Sequence, residues 1–254
     1  MRALYTAASG MAAQQTRLDS IANNLANVST SGYKKSREAF SDLYYQELTR
    51  GGQGVAKSRV DVGSGVRLNA VEKDFAQGAI IEDGNPLHAA INGKGSFFVV
   101  ESVTGERLFT RDGSFSLDAQ GGLITASGLT VSNIQIPQGA ESVQILDDGS
   151  VNVRMAGEAN STSVGQIEVA RFVNPAGLRA LGGNLFAQSD TSGDPTAVTP
   201  ADGVQIRGGA LEHSNVDIAQ ELVLMIETQR SYELNSKVIQ AADDTLGIAT
   251  NLRR

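Results

Sequence analysis

At 254 residues, with 28 acidic against 21 basic side chains, the chain is long enough for one or two domains and carries a net charge of −7. It has no basic run that could track phosphates, which argues against nucleic-acid binding, and the absence of cysteine removes thiol catalysis and thiolate metal sites. Glycine is abundant at 28 residues and aromatic side chains are few, a balance that suits a turn-rich β body rather than a dense enzyme core.

The first residues, Met1-Arg2-Ala3-Leu4-Tyr5-Thr6, lack the apolar core and cleavage pattern of a signal peptide, and no stretch has the length to cross a bilayer. A soluble chain is expected, exported, if at all, by a route that cleaves no leader. A helix is predicted from about Leu4 to about Val28. Leu4, Met11, Leu18 and Leu25 repeat every seven residues, with Ala7, Gln14, Ile21 and Val28 three positions behind. Gly10 costs this helix on the order of 1 kcal/mol against Ala. Polar turn formers and glycine, Asn27 to Gly32, stop the pattern. Tyr33 to Leu48 resumes as a helix or as an extended arm. Arg50-Gly51-Gly52-Gln53-Gly54 and Gly63-Ser64-Gly65 are aperiodic and read as a flexible or partner-ordered excursion.

From about Ala70 to Gly209 the signals are strands. Ala89 to Asn92 and Phe97 to Val100 flank Gly93-Lys94-Gly95. Leu108 to Arg111 and Ser114 to Leu117 flank Asp112-Gly113, the strongest short hairpin cue in the chain. Asp118 to Gly122 forms a turn before Leu123, and Asp147-Asp148-Gly149 joins two further strands. Gln166 to Phe172 alternates as one more strand, and Asp190 to Asp202 is a surface loop. Short, closely spaced antiparallel strands indicate a sandwich or an open barrel.

Ser214-Asn215 is predicted to cap a last helix from about Val216 to about Asn251. Ile218, Met225, Tyr232, Ile239 and Leu246 repeat along it, and Leu234, Val238, Ala241, Ile248 and Leu252 form a second stripe in its later half. One stripe can face the first helix; the second needs another partner. The fold class is therefore α+β, with N- and C-terminal helices packed as a coiled-coil-like pair around a central antiparallel β domain. The boundaries are 1–40 with 211–254 for the helical domain, 41–69 for the excursion and 70–210 for the β domain. The first helix is rich in alanine and buries little area, so both helices are expected to order fully only on assembly.

No motif for catalysis, a cofactor or a metal emerges. His88 and His213 lie far apart with no ligand spacing around them, and both read as surface or loop residues. Gly93-Lys94-Gly95 lacks the upstream glycine of a phosphate loop, and Gly63-Ser64-Gly65 lacks the third glycine of a dinucleotide fingerprint. Asp147-Asp148 is a turn rather than an acid pair. The basic cluster Lys34-Lys35-Ser36-Arg37 is either a solvated segment or a contact to an acidic neighbour.

The run from Ile21 to Lys34, with Asn23, Asn24, Asn27 and Gly32, resembles the N-terminal signature of the bacterial flagellar rod and hook proteins. Ser214-Asn215-Val216-Asp217 and the run Met225 to Ile239, with Gln229, Arg230 and Asn235, are similar to the C-terminal signature of that family. Ile91 to Gly95 and Thr110 to Phe115 match as well. The family has Phe directly after the second glycine of Gly93-x-Gly95, where Ser96 stands here, so a shifted inward face or a bulge is expected. The length and the run from Gln229 are most similar to the distal-rod branch, with the proximal-rod branch second.

The resemblance implies a structural subunit that is not an enzyme and needs no cofactor. It would pass unfolded through the flagellar type III export apparatus and assemble with itself, helically, into a hollow rod spanning the periplasm. The helices would form the inner wall and the β domain the outer wall. Its partners would be proximal rod proteins, the hook protein, and the peptidoglycan-layer and outer-membrane ring proteins. The residues placed at helix-to-helix contacts are Leu4, Met11, Leu18, Ile21, Leu25 and Val28, with Ile218, Leu222, Met225, Tyr232, Ile239 and Leu246. Without the resemblance, an oligomeric β-sandwich binding module is the other reading.

Overall fold

The computed structural model describes residues 2–50, 58–102, 104–157, 160–200 and 203–251. The chain divides into two compact units. The first comprises Met1–Ala26, Ser36–Glu72 and Asp217–Arg254; the second comprises Asn27–Lys35 and Lys73–Val216.

The first unit holds helix α1 (Arg2–Ala26), helix α2 (Ile218–Asn251) and four strands, β1 (Ser36–Asp42), β2 (Tyr45–Arg50), β3 (Ser58–Gly63) and β4 (Val66–Lys73). Antiparallel β2 and β3 pair from Tyr45 with Gly63 to Arg50 with Ser58, and β1 pairs with β4. The segment after Tyr33 is thus extended rather than helical, and strands occupy part of the glycine-rich excursion. Its centre, Gly51 to Lys57, lies outside the described residues, as does Leu252 of the second apolar stripe. No helix among the described residues is long and apolar enough to cross a membrane.

The second unit is built from β5 (Ile80–Glu82), β6 (Ala89–Asn92), β7 (Ser96–Glu101), β8 (Arg107–Thr110), β9 (Phe115–Leu117), β10 (Gly122–Thr125), β11 (Thr130–Gln135), β12 (Ala140–Ile145), β13 (Ser150–Met155), β14 (Thr162–Gln166), β15 (Val169–Arg171), β16 (Arg179–Gly182), β17 (Leu185–Ala187), β18 (Thr196–Ala197), β19 (Gln205–Gly208) and β20 (Ala210–Glu212). The main sheet has nine strands, in the order β16-β17-β8-β7-β11-β10-β9, with β15 joining β7 to β18. Strands β12, β13 and β14 form a three-stranded sheet, while β19 pairs with β6 and β20 with β5.

Strand β7 explains where the core sits. Phe98 and Val100 point into one apolar cluster with Ile91, Phe115, Val131, Ile145 and Val151; Phe97 and Val99 point into another with Phe109, Phe172 and Phe186. Both faces are covered, so the strand reads as a continuous apolar run rather than an alternation. Each buried Phe contributes roughly 1.5–3 kcal/mol over exposure. Ser96 is fully buried and opens β7 opposite Arg171, and the pairings of β7 with β8 and β15 run without a register shift. No bulge is therefore present at Ser96. Because both faces are apolar, either parity of side chains finds a core.

Two strand expectations are corrected. Asp112-Gly113 does not close a hairpin, because β8 pairs with β7 and β17 while β9 pairs with β10. A two-residue hairpin of this type needs positive φ at its centre, and Gly113 has none. Its backbone instead lies so close to Ala89 that an added Cβ would fall 1.6 Å from the Ala89 carbonyl oxygen. The Asp112 carboxylate accepts from Ser114 N–H and Oγ–H, an Asx turn that redirects the chain. Gln166 to Phe172 is likewise not one strand: β14 ends at Gln166 and β15 starts at Val169, each with a different neighbour. The turns at Asp118 to Gly122 and Asp147 to Gly149 join β9 to β10 and β12 to β13 as antiparallel hairpins.

Candidate assembly surface

In the first unit α1 and α2 run antiparallel. Asn24 Nδ2 donates to Glu221 Oε2 at 3.4 Å, and a Cβ on Gly10 would lie 3.0 Å from Asn235 Nδ2. Two heptads along α1, from Gly10 to Asn24, therefore match two heptads back along α2, from Asn235 to Glu221. The positions turned inward are mostly small or polar, with Ile21 the one large aliphatic among them. Ala7, Ala13, Ser20, Ile21 and Asn24 are buried on α1; Glu221 and Thr228 are buried on α2, with Asn235 half-buried. Glu221 sits in the first turn of α2, where the unpaired N–H groups of the helix favour a carboxylate.

The apolar repeats flank this seam. Ile21 is buried, while Leu4, Met11, Leu18, Leu25, Met225 and Ile239 are half-buried. Ile218, Leu222, Tyr232 and Leu246 are exposed by 38–50%. The second stripe is turned outward as well, with Leu234 and Ile248 each 61% exposed and Val238 47%; Val223 and Ile226 join them. The pair thus buries small and polar side chains with only one large aliphatic, Ile21, and leaves many aliphatic ones exposed, unlike a helix pair that is complete in itself.

The helix starts differ from the sequence reading. Asp217 caps α2, its carboxylate accepting from Ala219 and Gln220 N–H at 2.9 and 3.2 Å. Asn215 has another task, in the second unit: its Oδ1 accepts from Lys35 N–H at 2.8 Å, and its Nδ2 donates to Asp74 and Ala76 carbonyls. Asn24 does the equivalent in the first unit. It accepts from Ser36 N–H at 2.8 Å and donates to Ser36 C=O at 3.0 Å, so the side-chain amide mimics a neighbouring strand. Asn27 accepts from Thr30 Oγ in the turn after α1. Gly32 has φ +68°, and a Cβ there would lie 2.6 Å from the backbone at Arg111 and Asp112, so only glycine fits. Val28 is half-buried in the second unit; Asn23, Gln229 and Arg230 are exposed.

Lys34 decides between the two readings of the basic cluster, in favour of an acidic neighbour. It is not a solvated residue but is fully buried, with its ammonium 2.6 Å from Glu212 Oε1 and 2.8 Å from the Ala76 carbonyl. The other Glu212 oxygen takes Arg111 Nη1 at 3.0 Å, and Arg111 also donates to the carbonyls of Ile91 and Gly93. All three ionic side chains have no exposed surface. Burial pushes the Lys34 ammonium and the Arg111 guanidinium below their ordinary pKa ranges, against the opposing pull of Glu212. Two sequence motifs, Gly32-Tyr33-Lys34 and Thr110 to Phe115, thereby meet on one carboxylate, while Ile91 to Gly95 holds Arg111 through its carbonyls. Sequence reasoning missed Arg111, Glu212, Glu221 and Thr228. A lone charge inside the apolar run Ala210-Leu211-Glu212 was the available signal.

Chemical groups are sparse elsewhere. His88 Nδ1 pairs with Asp83 on an outer turn, and His213 is exposed. Among the described residues, no group of three or more His, Cys, Asp or Glu is placed to hold a metal ion. A groove in the second unit lined by Val99, Phe109, Val169 and Pro195 carries only the half-exposed pair Arg107–Glu168 as charged lining.

Residues 4–34 match the family model described as flagella basal body rod protein, residues 90–153 the flagellar hook protein FlgE/F/G D1 domain, and residues 207–252 the flagellar basal body rod FlgEFG protein C-terminal. The chain is 44% identical to the flagellar basal-body rod protein FlgG of Borreliella burgdorferi, over all of this chain and 99% of that protein. It is 42% identical to FlgG of Agrobacterium fabrum over 98% of each, and 37% identical to FlgG of Bacillus subtilis over the full length of both. With terminal and central segments matched in order, the chain belongs to the flagellar basal-body rod family, as a FlgG-like distal rod protein and a structural subunit of the rod.

Proposed function

We propose that copies of this chain polymerise helically into a hollow shaft that transmits torque from motor to hook and lets later subunits pass along its bore. The observation that carries this reading is the helix pair itself: small and polar residues with the single large aliphatic Ile21 inside, and Leu222, Val223, Ile226, Leu234, Val238 and Ile248 outside. Aliphatic groups on a helix face gain about 25 cal/mol per Å² when a neighbour covers them. A second copy offers the same face at no cost in new sequence. A head-to-tail contact that does not close on itself gives a filament rather than a ring.

The named heptad residues, Leu4, Met11, Leu18, Ile21, Leu25 and Val28 with Ile218, Leu222, Met225, Tyr232, Ile239 and Leu246, supply the coiled-coil-like contacts in this proposal. The proximal rod and hook proteins cap the two ends, the peptidoglycan-layer and outer-membrane ring proteins surround the shaft, and the type III export apparatus delivers the chain to the periplasm. No catalytic role is assigned. The test is electron microscopy of concentrated pure protein. Straight hollow tubes are expected, whereas closed rings, or monomers at every concentration, overturn the proposal in favour of a binding module.

A further inference from the structure

The ion cluster of the second unit has a property that assembly does not use. Lys34 stands near the start of that unit, Arg111 in its middle and Glu212 near its end, yet all three are sealed from water. Two cations share one carboxylate. Until Glu212 is seated, the site would hold two like charges with no carboxylate in contact with either and only Asp74 acting on Lys34 from further off, a state that costs several kcal/mol per ion in a dry interior. The carbonyls that complete the site, from Ala76, Ile91 and Gly93, must already be in place. Closing it also joins the most distant parts of the unit, a contact that chain entropy delays.

We propose that Lys34, Arg111 and Glu212 form a clasp that closes last in folding and opens first in unfolding, so that the segments leading into both terminal helices are released together while the sheet core stays built. Two backbone amides report on it directly. Gly32 N–H donates to the Glu212 carbonyl at 2.7 Å, and Gly78 N–H donates to the Glu212 carboxylate at 2.8 Å. Core strand β7 provides the reference, for instance Val99 N–H on the Glu168 carbonyl at 3.0 Å. The inference rests on the cluster alone and stands or falls separately from the shaft proposal.

Two measurements on the full chain test it. In Glu212→Gln, the unfolding rate should rise by about 100-fold while the refolding rate changes by less than about threefold, the pattern of a contact absent from the transition state. Refolding slowed by as much as stability is lost overturns the proposal. Native-state hydrogen exchange of the unaltered chain decides the matter even if that variant does not fold. Gly32 and Gly78 amides should exchange through an opening well below that of Val99. Exchange of all three in one global step overturns it.

Discussion

Two asparagines show how much one amide can do. Asn24 and Asn215 lie far apart in sequence, yet they hold consecutive backbone N–H groups, Asn24 that of Ser36 in the first unit and Asn215 that of Lys35 in the second. Each offers an acceptor and a donor in the geometry of a peptide group, which no aliphatic side chain can copy. Asn24→Ala and Asn215→Ala should each cost about 1–3 kcal/mol, since part-buried partners are left unpaired. Urea unfolding followed by circular dichroism measures the loss, and the Ser36 or Lys35 amide should lose exchange protection first. Asp148 gives a pH prediction. Ser150 Oγ–H and N–H, at 2.6 and 2.8 Å, hold its carboxyl below the usual carboxylate range. That small contribution is complete above the unfolded pKa and vanishes as pH falls through the lower folded one, so it is lost below about pH 4. Thermal unfolding of Asp148→Ala should lie slightly below the unaltered chain at pH 7 and converge with it in acid.

The helices carry the argument at the level of elements. A heptad of leucines in α1 would ordinarily form the contact with its partner, but Gly10, Asn24, Glu221 and Asn235 occupy that line and the leucines stand beside it, half-covered. Leu25→Asp or Met225→Asp should therefore abolish polymerisation and leave the β unit folded. Sedimentation would show monomers, and near-ultraviolet circular dichroism would keep the signal of the phenylalanine clusters. Normal filaments from either variant would remove the leucine seam from the assembly proposal. Strand β7 makes the complementary point. Both of its faces are buried, so either parity of side chains along it finds a core.

For the whole molecule, the chain passes from one unit to the other after Ala26, Lys35, Glu72 and Val216. Among the described residues α2 carries a run of exposed apolar side chains from Ile218 to Ile248, and Tyr44 and Tyr45 at the strand ribbon are 93% and 62% exposed. An ordered helix pair with its aliphatic side outward is costly in dilute solution. Helix content measured by circular dichroism should consequently rise with protein concentration, and full content in dilute monomer would contradict this. Deleting Gly51 to Gly65 removes β3 and should leave export intact while changing the curvature or stiffness of the polymer, read by electron microscopy. A straight, equally rigid filament would dissociate the ribbon from stiffness.

The amino-acid pattern alone determined the two terminal helices, the antiparallel β body, the Asp-Gly turns before Leu123 and Ser150, and the family. These depend on periodicity and turn chemistry, which act over a few residues. Only the tertiary structure decided that Asp112-Gly113 redirects the chain instead of closing a hairpin, that Lys34 is buried on Glu212, and that the leucines flank the helix seam instead of filling it. Each depends on a partner dozens to hundreds of residues away, whose charge or backbone must be present before the local preference can be overruled.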